Sequence, residues 1–110
     1  NGLIICMGTI AELYKDFGGK VLIMGKPSTS IYQESIKNLR SINKSKILAV
    51  GDSIYHDIKG ANNFKIDSVL ITSGIHKLYF DAKNPKWETY SNPLKKTNII
   101  PTYLSSKFQF

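Results

Sequence analysis

The chain has 110 residues, enough for one small domain and too few for two. Its 42% hydrophobic and 11% aromatic content excludes wholesale disorder, and its one cysteine, Cys6, excludes an internal disulfide or a cysteine-based metal cluster. The net charge of +7 is spread over lysines, with Arg40 the only arginine, so solvated basic faces are expected rather than a specific nucleic-acid site.

No apolar run approaches the roughly 20 residues of a membrane span, and no signal-peptide pattern opens the chain. Together with the lone cysteine, this leads to an expectation of a cytoplasmic protein with no membrane partner. The sequence opens on Asn1 rather than Met, so the expectation is that something either was removed or is missing upstream.

In chain order, Ile10 to Phe17 has apolar Ile10, Leu13, Tyr14 and Phe17 at helical spacing. Thr9 is the expected N-cap, with Glu12 completing a capping box, and Gly18-Gly19 as the stop. Val21 to Met24 is a continuous apolar run, expected as a buried strand before the turn Gly25-Lys26-Pro27. Ser28 to Leu39 is predicted as a second helix and Lys46 to Val50 as a second buried strand, ending at Gly51-Asp52. Tyr55 to Phe64 is predicted as a third helix with Ile58 and Ala61 inward, and Ser68 to Thr72 as a third strand.

Alternation of this kind predicts βα units around a parallel sheet, with helices on both faces. From Asp81 to Asn98 the pattern decays into a loop or one poor helix around Trp87. Ile99 to Tyr103 is a candidate edge strand interrupted by Pro101.

Chemistry concentrates at the carboxyl ends of the strands, where open parallel sheets bind ligands. Asp52 follows a glycine at one strand end, and Asp57 stands five residues later. Two carboxylates placed this way suit Mg²⁺, which needs few protein ligands and keeps several waters. Taken alone, Asp57 reads equally well as a helix cap. Lys26, at another strand end, would neutralise phosphate charge in the same cleft, and the ordered pair favours a phosphate site. Cys6 is expected as a buried small residue, and His76 as a loop or packing residue that lines the cleft at most.

The string Gly25-Lys26-Pro27, the stretch from Lys46 through Gly51, Asp52 and Asp57 to Asn62, and the stretch from Asp67 to His76 resemble the C-terminal half of the HAD (haloacid dehalogenase-like) phosphohydrolases. Within that superfamily the chain looks most like the large-cap branch, similar to 4-nitrophenylphosphatase and N-acetylglucosamine-phosphate phosphatase. The resemblance implies a Rossmannoid three-layer α/β/α fold, incomplete here. Residues 1–19 would be the end of a cap, 20–80 the C-terminal half of the core, and 81–110 an irregular extension.

By the same resemblance Lys26 would be catalytic and substrate-binding, Ser53 substrate-binding, and Asp52 and Asp57 the Mg²⁺ ligands. The substrate would be a phosphorylated small molecule. Such enzymes attack phosphate with the first aspartate of an Asp-x-Asp motif. No two of the eight acids here are one residue apart, so the chain is expected to be inactive alone. It would then need its missing N-terminal half or a homo-oligomer as partner, or else be a non-catalytic binding or remnant domain.

A rival reading takes Gly51-Asp52-Ser53 as the first block of a GDSL-type esterase with Ser53 as nucleophile. That block needs an Asp-x-x-His, whereas Ser53 and Ser73 stand three residues before His56 and His76.

Overall fold

The computed structural model describes residues 5–39, 41–80 and 94–109. Its frame is a sheet of three parallel strands, β1 (Leu48–Gly51), β2 (Asp67–Ile71) and β3 (Tyr103–Ser105), in that order across the sheet. Ala49 is level with Ser68 and Gly51 with Leu70, while Leu70 is level with Leu104. Among the described residues the sheet is accompanied by α1 (Met7–Asp16), α2 (Thr29–Ile36) and α3 (Lys59–Phe64). A π-helical turn, Ile54–Ile58, leads directly into α3.

Side-chain alternation along paired strands puts Ala49, Gly51, Ser68, Leu70 and Leu104 on one face. That face is the core. Ile54, Ile58, Leu70, Phe80, Leu94 and Ile99 form one buried cluster with Leu104 against it. Beside it Ala61, Phe64 and Ile66 pack with Tyr32, Ile36, Ile47 and Ala49. Tyr32 stacks on Phe64 with ring centroids 5.3 Å apart, joining α2 to α3. The close approach of α2 to α3 is made at Gly60, where an added Cβ would lie 2.6 Å from the Tyr32 hydroxyl.

The other face of the sheet is more open. Leu48 is 50% and Val50 43% exposed, and β1 has a strand neighbour on one side only among the described residues. The expected parallel α/β sheet is therefore present, and the described residues build the sheet together with the helical layer on one face.

Several boundaries differ from expectation for local reasons. Val21–Met24 is not a strand; Leu22, Ile23 and Met24 are at least 59% exposed, with no neighbouring strand among the described residues to pair with their backbone. α1 begins at Met7, so its N-cap is Cys6, and Thr9 lies inside the first turn instead of capping it. Thr9 Oγ1 meets Cys6 Sγ at 3.5 Å. Cys6 is exposed rather than buried, because α1 buries none of its residues. The last strand starts two residues after Pro101, beyond the residue that cannot donate a ladder hydrogen bond. The loop or helix expected around Trp87 lies outside the described residues. No helix among the described residues is long and apolar enough to cross a membrane.

Candidate functional site

The site is assembled by three chain turns: residues 24–28 before α2, residues 51–57 after β1, and residues 72–76 after β2. Gly51 ends β1 where a side chain would not fit. A Cβ there would stand 2.2 Å from Asp57 Cγ and 2.4 Å from Asp57 Cβ, so the aspartate packs directly on the glycine backbone. Gly74 plays the same part for Asp52, whose Cβ and Oδ2 would each be 2.2 Å from an added Cβ. Both acids are thus seated against bare backbone.

Asp57 is 8% exposed, and both of its oxygens are engaged. Oδ1 accepts from Lys26 Nζ at 2.5 Å, a contact spanning 31 residues of chain, and Oδ2 accepts from the Ser53 backbone N–H at 3.0 Å. Tyr32 donates its hydroxyl to the Asp57 carbonyl at 3.2 Å. Burial pushes the Asp57 carboxyl up, but the Lys26 and Ser53 hydrogen bonds and the Lys26 charge outweigh it and hold the carboxyl below its usual range. The Asp57 hydrogen bond raises the Lys26 ammonium above its usual value, and the charges of Asp57, Tyr32 and Asp52 add to this against partial burial. Burial, then the Asp57 charge, raises the Tyr32 phenol.

Asp52 accepts from the Ile75 N–H through Oδ2 at 3.0 Å, which ties the turn after β1 to the loop after β2. None of the described hydrogen bonds uses its Oδ1. Lys26 and Asp57 are therefore in direct contact, while Asp52 faces the neighbouring loop and acts on Lys26 through its charge.

Ser53 caps the π-helical turn: its Oγ accepts from the His56 N–H at 3.2 Å and lies 2.8 Å from His56 Nδ1. At 7% exposed it is poorly placed for attack on a substrate, and His76 is not its partner. His76 stands between Tyr55 and Tyr79, at ring distances of 5.9 and 5.6 Å.

Sequence reasoning passed over His56. It lines a cleft of about 810 Å³ with Gly25, Lys26, Lys15 and Lys20. Glu12 is the one acid of that lining, and Met7, Ala11 and Val21 to Ile23 give it an apolar wall. The available signal was Ser53 three residues before His56, a spacing that brings the two side chains together once the segment turns helically.

Among the described residues no three His, Cys, Asp or Glu side chains gather to hold a metal. The donor set is one carboxylate oxygen on Asp52 with the Asp57–Lys26 pair behind it. It fits a hard cation that takes one or two protein carboxylates and completes its shell with water and phosphate.

The HAD-hydrolase-like family model matches residues 23–100, more than half of the chain. No curated protein matches it. The chain is similar to a haloacid dehalogenase-like hydrolase from Brucella suis 1330, at 27% identity and a TM-score of 0.68, over 94% of this chain and 37% of that one. It is similar to a possible sugar phosphatase of the HAD superfamily from Cytophaga hutchinsonii, at 26% identity and a TM-score of 0.68, over 94% and 35%. NagD from E. coli K-12 shares the fold at 20% identity and a TM-score of 0.67, over 93% and 35%. The chain thus spans between 35% and 37% of the length of these solved relatives.

Proposed function

The chain belongs to the HAD-hydrolase-like family, and we propose that it supplies the phosphate- and Mg²⁺-handling side of a phosphomonoester hydrolase. The observation that carries this reading is the Lys26–Asp57 pair beside Asp52, at the carboxyl end of β1. An ammonium offers three N–H donors. Asp57 takes one and fixes the group in place. The Lys26 side chain is 52% exposed, so its remaining donors are open to an anionic ligand.

Asp57 anchors Lys26 and accepts from the Ser53 N–H, and it would support a bound cation directly or through water. Asp52 would ligate the cation, with its Oδ2 oriented by the Ile75 N–H. When bound, Mg²⁺ supplies Lewis-acid polarisation of the phosphoryl oxygen. Lys26 stabilises charge that builds on the transferring group, an interaction worth most where geometry is fixed in advance.

No Asp-x-Asp pair, the motif that would carry the in-line carboxylate, occurs among the eight acids of this sequence. These residues bind and orient phosphate, and a carboxylate they do not supply does the attacking. A phosphatase assay with 4-nitrophenyl phosphate and Mg²⁺ tests this reading on the 110-residue chain, and on the chain joined to a polypeptide bearing the Asp-x-Asp segment. Background turnover alone and Mg²⁺-dependent turnover when joined are expected. Turnover by the short chain that Asp52→Asn abolishes would show that the attacking group is here after all.

A further inference from the structure

We propose that His56 is a phosphate-binding residue of the Lys26 cleft, donating from Nε2, with Ser53 as the residue that positions its ring. The inference rests on the phosphate-site reading above and adds to it a residue that reading does not use.

Its first support is the hydrogen-bond arithmetic at Ser53. A serine hydroxyl has one proton and two lone pairs. One lone pair takes the His56 backbone N–H at 3.2 Å. Ser53 is 7% exposed, so its proton needs an acceptor inside the protein. The ring nitrogen Nδ1, 2.8 Å away, is that acceptor among the described hydrogen bonds. A neutral imidazole that accepts at Nδ1 carries its proton on Nε2. The serine thereby selects the tautomer and leaves a donor on the far side of the ring.

Placement is the second support. His56 directly precedes Asp57, the residue holding Lys26, and its exposed side chain lines the same cleft as Lys26 and Gly25. Lys15, Lys20 and Lys26 line this cleft against the one carboxylate of Glu12, so the lining favours an anion. The apolar wall formed by Met7, Ala11 and Val21 to Ile23 suits a ligand whose phosphate is attached to a non-polar group. A phosphate monoester with an apolar leaving group matches both halves.

The test is a titration of the 110-residue chain with inorganic phosphate in the presence of Mg²⁺, followed by calorimetry. His56→Ala is expected to weaken binding about tenfold, the scale of one hydrogen bond to a charged group. His56→Gln, which keeps a terminal N–H donor, should recover part of that loss. Lys26→Ala serves as the test of the underlying site. Normal binding by His56→Ala with loss in Lys26→Ala overturns the role of His56 and leaves the phosphate site standing. Unchanged binding in both variants, or no phosphate binding by the unmodified chain, overturns both. Imidazole ¹⁵N shifts read the positioning role separately from folding. The Nε2–H tautomer is expected in the unmodified chain and in Ser53→Thr, and a tautomer mixture in Ser53→Ala. A ring that keeps the same tautomer in Ser53→Ala would show that Ser53 does not position it.

Discussion

Replacing Gly51 by alanine probes how Asp57 is seated. The new methyl would fall 2.2 Å from Asp57 Cγ and 2.4 Å from its Cβ and Oδ2. The carboxylate has little freedom to move aside, because Lys26 holds Oδ1 at 2.5 Å and the Ser53 N–H holds Oδ2 at 3.0 Å. Forcing an extra methyl into a filled site costs about 1–3 kcal/mol. Displacing the carboxylate also loses hydrogen bonds of about 1 kcal/mol each, the Lys26 bond counting less because that side chain is half exposed. Gly51→Ala should therefore lower stability by about 2–4 kcal/mol in urea unfolding. Because Asp57 Cβ itself is in the way, the partner change is Asp57→Gly. In a double-mutant cycle the two substitutions should couple by at least about 1 kcal/mol. A cost below about 0.5 kcal/mol, or the same cost in both backgrounds, would refute the close packing of Asp57 on Gly51.

Stability should depend on pH at both ends through the same pair. Asp57 has a depressed folded pKa, so its contribution is present above the unfolded carboxylate value, about 3.9, and is lost as pH falls through the folded one. Lys26 has a raised one, so its contribution is present below about 10.4 and is lost as pH rises through the folded value. Asp57→Asn should flatten both limbs of the urea midpoint against pH, and unchanged limbs would contradict the pairing. Leu70→Ala, at a fully buried position on the central strand, should cost about 2–5 kcal/mol in the same assay. Leu48→Lys, at a half-exposed position on β1, should reduce self-association in light scattering while changing stability by no more than about 0.5 kcal/mol.

The parts of the fold legible in the sequence were those whose apolar residues find partners within the chain. β1, β2 and the helical stretch from Ile54 to Phe64 lie close to where their apolar runs place them, because Ile58 and Leu70 share one buried cluster and Ala61 packs in the cluster beside it. Val21 to Met24 has an equally strong apolar run, yet it stays exposed and irregular. An apolar run says that burial is favourable, not that a neighbouring strand is present. The helix start at Met7 moves the cap from Thr9 to Cys6, so both residues depart from expectation together.

At the site, the spacing from Asp52 to Asp57 and the lysine between elements carry a chemical signal in the sequence itself. The separate hydrogen-bond partners of the two acids do not, because they depend on which oxygen meets Lys26 Nζ, Ser53 N or Ile75 N. His56 was hidden for the same reason: its pairing with Ser53 exists only once the turn has formed.

Asp52, with the Lys26–Asp57 pair beside it, is proposed to form one cation and phosphate site at the end of β1. Paramagnetic Mn²⁺ in place of Mg²⁺, titrated into ¹⁵N-labelled chain with phosphate present, reads this directly. Amide signals of Gly51, Asp52, Ser53 and Ile75 should broaden first, and Asp52→Asn should abolish the effect. Broadening centred elsewhere, or undiminished in Asp52→Asn, would contradict the assignment.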